Sequence, residues 1–168
     1  MARKPDPQID GAAAETGPGE MAPGVPLDDF PPYLLNRIVN RINTNLGEAL
    51  KAIGASVQQY RVLAVLIAGD RRSVNELAVY TVTEQSTLSK ILDRMAAQGL
   101  VERRPNRKDG RVVEICITGG GRAAYDRILP IALAQYRDAV DGLSDDERTR
   151  MVETLHRVLD NVRRSPFP

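Results

Sequence analysis

Polar and basic side chains suited to binding nucleic acid are concentrated between residues 83 and 111. The first group follows Thr83 in a helical pattern whose outward side carries hydroxyls, an amide and a lysine. Hydroxyls bond base edges or phosphates, glutamine pairs with adenine, and lysine reaches guanine or phosphate. The candidate DNA contacts in this group are Gln85, Ser86, Thr87, Ser89 and Lys90.

The second group is a basic turn over residues 103–111. Five Lys and Arg residues and one Asp give it a net charge of +4 over nine residues. A basic tip at a tight turn fits a narrow minor groove, where the negative potential is enhanced. Either group alone is often only a solvated surface, whereas the two together, in this order, favour DNA binding. The candidate contacts are Arg103, Arg104, Arg107, Lys108, Asp109 and Arg111.

The overall composition excludes several other kinds of site. The chain has 168 residues and a formal net charge of +1, so its total charge indicates no partner. One cysteine excludes a disulfide framework or a multi-cysteine metal site, and one histidine argues against a Ser-His-Asp triad. No nucleophile–base pair or metal-ligand spacing is visible. We therefore expect no enzyme, no catalytic residue, no metal and no cofactor.

The sequence also lacks the signals of a membrane or secreted protein. No run of about 18 apolar residues is present, so we expect no membrane-spanning helix. The N-terminus has no apolar segment of the kind found in a secretory signal, and we expect a cytoplasmic protein.

Hydrophobic spacing and capping signals predict the elements that position these groups. Apolar residues three and four apart predict a helix from Pro31 to about Ile53. Capping boxes, in which Ser is followed three residues later by Gln or Glu, predict three more helix starts. They begin at Ser56, Ser73 and Ser144. Residues 83–98, between the helix starts at Ser73 and Ser144, form the predicted recognition helix, and Thr83 is its expected N-cap. Its expected buried stripe is Leu88, Ile91, Leu92 and Met95.

A β-hairpin is predicted directly after this helix. Residues 100–104 and 111–118 form its arms. The returning arm places Ile115 and Ile117 on one face, and Glu114 and Cys116 on the other. After the glycines at 119–121, a helix is expected to begin near Arg122, with a kink at Pro130.

The order of helix, short helix, helix and basic hairpin is typical of a winged helix-turn-helix. We expect a mainly α protein with a small β-hairpin wing (α+β). The sequence resembles the MarR (multiple antibiotic resistance regulator) family of bacterial transcription regulators over roughly residues 31–163. The resemblance is carried by Ser86–Lys90, Leu92–Met95, Gly99–Arg103, Asp109–Arg111, Ile117–Thr118 and Gly121. It departs from the family at Lys90, where arginine is common, and at the triple glycine and the long N-terminal tail.

The resemblance implies a homodimeric, ligand-responsive repressor that binds a pseudo-palindromic double-stranded operator. Arg111 would enter the minor groove, oriented by Asp109. We accordingly expect four regions along the chain. These are an acidic disordered tail rich in Pro, Gly and Ala (1–29), an N-terminal dimerisation helix (30–54), the winged helix-turn-helix domain (55–118) and C-terminal dimerisation helices (119–168).

The resemblance further implies a small effector, an aromatic carboxylate or a phenol, bound between the dimerisation helices and the winged domain. Candidate effector contacts are Arg37, Asn40, Arg41, Tyr60 and Arg61. The alternative for these residues is a solvated surface or a dimer contact. Two other interpretations of the protein stay open: a redox-responsive regulator that senses through Cys116, and a winged helix that binds a protein instead of DNA.

Overall fold

The computed structural model describes residues 19–22, 24–106 and 112–164, and within these ranges it is mostly helical. The helices are α1 Pro31–Lys51, α2 Val57–Ala68, α3 Val74–Thr81, α4 Gln85–Ala97, α5 Gly119–Ala139 and α6 Asp145–Arg164. The strands are β1 Glu20–Ala22, β2 Val25–Pro26, β3 Arg72–Ser73, β4 Val101–Pro105 and β5 Val113–Ile117. The predicted class, mainly α with a small β-hairpin, is confirmed.

The chain divides into two compact units, residues 1–41 and 42–168, with the boundary inside α1. In the first unit, β1 and β2 form an antiparallel pair that leads through a 3-10 turn into α1. The prediction of disorder up to residue 29 is therefore wrong for the described residues 19–22 and 24–29. Gly19 and Gly24 adopt positive φ angles, and Leu27 N donates to Gly19 O at 2.9 Å, which joins the residues that flank the two strands.

The core of the second unit is aliphatic. Its buried side chains come from the last turns of α1, from α2 to α5 and from the sheet. They include Leu46, Leu50, Val62, Leu63, Leu66, Leu77, Leu88, Leu92, Met95, Val101, Ile115, Ile117 and Ile128. Of the apolar residues whose spacing predicted the first helix, Leu46 and Leu50 are buried, whereas Leu34 and Ile38 are exposed. Ile53 is also exposed and lies beyond the end of α1.

The three predicted capping boxes are confirmed. Each serine Oγ accepts from the backbone N–H three residues later, at 3.2 Å for Ser56, 3.2 Å for Ser73 and 3.3 Å for Ser144. The Gln or Glu side chain reaches back to the N–H of its serine at 2.8–2.9 Å. These bonds satisfy N–H groups that a helix start leaves without a partner.

The wing sheet has three antiparallel strands in the order β3-β5-β4. Strands β4 and β5 pair from Val101 opposite Ile117 to Pro105 opposite Val113, as the hairpin prediction required. Strand β3 was not predicted, because two residues are too few for an alternating pattern. It brings the loop after α2 against β5, with Arg72 opposite Ile115.

Helix α5 begins at Gly119 and not near Arg122. Thr118 is its N-cap, and the Thr118 hydroxyl accepts from Gly121 N at 2.9 Å. The glycines therefore form the first turn of the helix. Gly121 is buried there so tightly that a Cβ would overlap Leu100 O and lie 2.8 Å from Ile117 Cγ1. The helix continues through Pro130 to Ala139.

Candidate nucleic-acid interface

Helices α3 and α4 form the helix-turn-helix, and a short, specific turn joins them. Val82 lies in the left-handed region (φ 50°, ψ 49°), and Thr83 N donates to Ala78 O at 3.0 Å. Thr81 is buried, and its hydroxyl donates to Leu77 O at 2.7 Å. A left-handed conformation is unfavourable for a β-branched residue, so this turn depends on the packing around it.

Helix α4 presents one buried and one polar face, as predicted. Leu88, Ile91, Leu92 and Met95 are buried against the core. The candidate DNA contacts lie on the other side: Gln85, Ser86, Thr87 and Lys90 are exposed, and Ser89 is partly buried. The packing therefore presents the polar row as a continuous outward surface.

The N-cap of α4 is Glu84, which corrects the prediction of Thr83. The Glu84 carboxylate accepts from Thr87 N at 3.1 Å and from the Ser86 hydroxyl, whereas the Thr83 hydroxyl donates to Thr81 O at 3.1 Å. The hydrogen bond from the Ser86 side chain, followed by that from Thr87 N, holds the pKa of Glu84 below its ordinary value. Glutamate is not among the preferred N-cap residues, so the sequence favoured Thr83. A carboxylate nevertheless suits the positive end of the helix dipole.

The two described arginines of the wing are paired with carboxylates. Arg103 donates to Asp93 of α4 at 2.7 Å, which ties β4 to the recognition helix. Arg104 forms an ion pair with Glu102 at 2.6 Å. A net charge counted over residues 103–111 leaves both carboxylates out, so it overstates the positive charge available at the start of the wing. The remaining wing candidates, Arg107, Lys108, Asp109 and Arg111, lie outside the described residues.

The loop between α2 and β3 is a part of this region that the sequence analysis missed. Asp70 Oδ1 accepts from Ile117 N at 3.0 Å, at one end of β5. Arg71 lies 2.7 Å from a carboxylate oxygen of Glu114, nearer the other end of β5. The only sequence signal was a run of three charges at 70–72, which is common in solvated loops.

The first three effector candidates lie on one face of the first half of α1. Arg37, Asn40 and Arg41 are spaced three and four residues apart, and all three are exposed. The Arg37 guanidinium has local partners, since it lies 3.7 Å from the Asp28 carboxylate and 5.6 Å from the centre of the Tyr33 ring.

The other two candidates, Tyr60 and Arg61, lie in the second unit, on α2. Tyr60 stacks nearly parallel on Tyr125 with ring centres 6.3 Å apart, and its burial raises its pKa. Arg61 donates to Asn43 Oδ1 at 2.9 Å. Both side chains thus have partners within the domain.

Two cavities open near the junction of α2 and α4. The larger, of about 410 Å³, lies along α4 and is lined by Thr87, Ile91, Arg94 and Gln98 among others. The smaller, of about 180 Å³, includes Arg127 of α5 in its lining. Gln59 lines both cavities and donates to Gln98 at 2.7 Å.

Cys116 is buried and is not poised for oxidation. Only 3% of it is exposed. Burial raises the pKa of its thiol, an effect larger than the opposing influence of Arg71 and Arg104. Since the thiolate is the reactive form, the structure does not favour the redox alternative.

The comparisons with known proteins agree with this architecture. A family model described as "MarR family" matches residues 53–112. The HTH-type transcriptional repressor IacR of Pseudomonas putida is 31% identical over 135 residues, which cover 80% of this chain and 81% of IacR. A MarR-family regulator from Silicibacter pomeroyi, solved as a crystal structure, is 38% identical with a TM-score of 0.75, and the match covers 84% of this chain and 95% of that one.

A second solved structure is a complex with nucleic acid. It is a mutant MarR from Escherichia coli with operator DNA, which is 25% identical with a TM-score of 0.67 over 75% of this chain and 91% of that one. Together, the fold and these matches define a winged helix-turn-helix, DNA-binding transcriptional regulator. The chain belongs to the MarR family.

Within the described ranges, two further features are absent. No helix there is long and apolar enough to cross a bilayer. Those same residues contain no group of three or more His, Cys, Asp or Glu side chains that could hold a metal ion.

Proposed function

We propose that the protein is a homodimeric repressor that binds a pseudo-palindromic DNA operator and is released by a small ligand. The observation that carries this proposal is α4: its apolar face is buried in the core, its polar face points outward, and Arg103 ties it to the wing strand β4. In this arrangement α4 enters the major groove and the wing follows the adjacent minor groove.

The contacts divide into base readout and positioning. On α4, Gln85, Ser89 and Lys90 face base edges, while Ser86 and Thr87 lie at the helix start, where phosphate is approached. The wing supplies its contacts from Arg103, Arg104, Arg107, Lys108, Asp109 and Arg111. Lys90 provides one point charge where arginine would form two bonds, so we expect looser reading of guanine at its position.

Dimerisation sets the spacing of the two recognition helices. We assign residues 30–54 and 119–168 to the dimer and residues 55–118 to DNA binding. A two-fold dimer reads two half-sites with centres about 10 bp apart, or a multiple of that distance. The E. coli MarR complex with operator DNA supports this proposal, as does the repressor role of IacR. Because the target is chromosomal DNA, we place the protein in the cytoplasm. We assign it no catalytic activity.

Selection of duplexes from a random library by the full-length protein tests the proposed function. The expected product is a consensus with two-fold symmetry and half-sites separated by about one helical turn. A selected pool that stays random in sequence would contradict the proposal, and so would a single asymmetric site.

The effector is proposed to be an aromatic carboxylate or a phenol. Arginine pairs with a carboxylate, and tyrosine stacks on an aromatic ring. We keep Arg37, Asn40, Arg41, Tyr60 and Arg61 as candidate contacts. A thermal-shift screen of aromatic acids checks this part: we expect stabilisation by at least one acid that also weakens DNA binding. Failure of every acid to raise the melting temperature would contradict it.

A further inference from the structure

Residues 70–72, at the end of the loop after α2 and the start of β3, contact both other strands of the wing sheet. Asp70 binds the N–H of Ile117 in β5, and Arg72 pairs with Ile115 as part of β3. Arg71 extends furthest toward the wing tip. Its guanidinium lies 2.7 Å from Glu114 of β5 and 3.3 Å from the carbonyl oxygen of Pro105, the last residue of β4.

The Arg71–Glu114 pair is better enclosed than the other ion pairs of the wing. The Arg71 side chain is 25% exposed and that of Glu114 is 12% exposed, against 52% and 41% for Arg104 and Glu102. The second carboxylate oxygen of Glu114 accepts from the Asn106 side-chain amide. One carboxylate thus joins the loop after α2 to the first residue beyond β4. A shielded pair in such a network couples its members more strongly than an exposed one does.

The backbone of Arg71 is held in an unfavourable conformation. Its φ is 66°, in the left-handed region where a residue other than glycine is disfavoured. Asp70 Oδ1 accepts from Arg71 N at 2.9 Å and holds this conformation. Glycine or asparagine would adopt this conformation at lower cost, but neither has a guanidinium that spans both wing strands.

We propose that Arg71 and Glu114 form a clamp that fixes the direction of the β4–β5 wing, so that this pair controls DNA affinity without contacting DNA. The proposal rests on the proposed function, since it assumes that the wing meets the duplex. It makes Arg71 and Glu114 positioning residues.

Glu114→Gln separates this proposal from a simple effect of charge. Removing a carboxylate near a DNA-binding surface should strengthen binding if only the net charge matters. If the clamp matters, the same change releases the wing and weakens binding. The matched control is Glu102→Gln, which removes a carboxylate from the neighbouring strand and frees Arg104.

The measurement is fluorescence anisotropy with a duplex that the wild-type protein has selected from a random library, repeated over a salt series. We expect Glu114→Gln to weaken binding about tenfold. We also expect a shallower salt dependence, because fewer wing cations reach phosphates. Glu102→Gln should bind at least as tightly as the wild type. Adding Glu114→Gln to Arg71→Gln should cause no further loss, because either change alone opens the clamp.

Equal or tighter binding by Glu114→Gln would overturn the clamp, as would losses from the two single variants that add in the double variant. Melting curves of each variant show whether the domain stays folded. Should Glu114→Gln unfold, Arg71→Lys keeps the charge but not the guanidinium fork, so weaker binding by it supports the clamp and unchanged binding overturns it. If the wild-type protein selects no duplex at all, the proposed function fails, and that result is distinct from failure of the clamp.

Discussion

One residue of the turn between α3 and α4 holds an unfavourable backbone conformation. Val82 is 87% exposed and holds φ at 50°, so it gains little from burial and loses free energy to backbone strain. The strain is compatible with folding because bonds on both sides of it, from Thr81 and Thr83, over-determine the turn.

Val82→Gly should therefore stabilise the protein. Glycine removes the strain of the left-handed region but increases the entropy of the unfolded chain, so we expect a net gain of about 0.5–1 kcal/mol in the free energy of unfolding. Val79→Gly is the matched control, since Val79 is also exposed, at 71%, but lies within α3. There the change should cost about 0.5 kcal/mol, the difference between the helix propensities of valine and glycine. Chemical denaturation at fixed protein concentration measures both, and destabilisation by both would contradict the assigned strain.

Sequence reasoning at this scale succeeds where the interaction is local. The serine caps at Ser56, Ser73 and Ser144 were predictable because cap and partner are three residues apart. The roles of Glu84 and Arg71 were not predictable, because a glutamate cap is uncommon and the partners of the Arg71 guanidinium, Pro105 and Glu114, are 34 and 43 residues away in sequence.

At the scale of elements, the start of α5 is packed directly against the chain that leads into the wing. Gly121 lies where a side chain would overlap Leu100 O, whereas a Cβ on Gly119 would meet nothing within 4 Å. Thr118 links the same junction, because its hydroxyl donates to Gly99 O at 2.6 Å. Gly121 is thus required for the close packing of α5 against Leu100, whereas the position of Gly119 has room for a side chain.

Two alanine substitutions test this asymmetry. Gly121→Ala should destabilise the protein by about 2 kcal/mol or more, because backbone must move to admit the methyl group. Gly119→Ala should be neutral or stabilise by up to about 1 kcal/mol, since alanine favours the helix. Thermal melting compares them at equal concentration, and similar melting temperatures for the two variants would contradict the close contact.

Periodicity and capping signals predicted the six helices of the described residues, because apolar spacing and caps are properties of short windows of sequence. These signals misplaced the start of α5, since three glycines resemble a loop, and only the packing at Leu100 shows that Gly121 belongs to the helix. Strand β3 was missed because its pairing with β5 is non-local and only two residues long.

At the scale of the whole molecule, α6 carries an apolar stripe that one chain leaves exposed. Its members repeat at helical spacing and are each 37–55% exposed: Met151, Val152, Leu155, Val158, Leu159 and Val162. A continuous apolar face of this kind is typical of an interface between subunits.

We expect Leu155→Glu to convert the dimer into monomers, because it places a charge within the stripe. Arg157→Glu introduces the same residue on the other side of α6 and should leave the dimer intact. Sedimentation velocity at micromolar concentration distinguishes the two species. A wild-type protein that sediments as a monomer would contradict the assembly.

The DNA-binding surface was predictable in outline and not in its electrostatics. The outward polar row of α4 follows from the buried stripe opposite it. The carboxylates that pair with Arg103 and Arg104 could be assigned only from the fold, because Asp93 belongs to another element and Glu102 lies just outside the basic segment 103–111.

The most direct test of the central claim is the affinity of the full-length protein for DNA from immediately upstream of its own gene, measured by anisotropy over a salt series. We predict nanomolar binding that competitor DNA does not displace and that falls steeply with salt. Lys90→Gln should weaken specific binding and relax the preference for guanine at its position, whereas Arg127→Gln on α5 should leave affinity and preference unchanged. Weak binding that is equal for every duplex, and unaffected by Lys90→Gln, would contradict the assignment of α4 as the recognition helix.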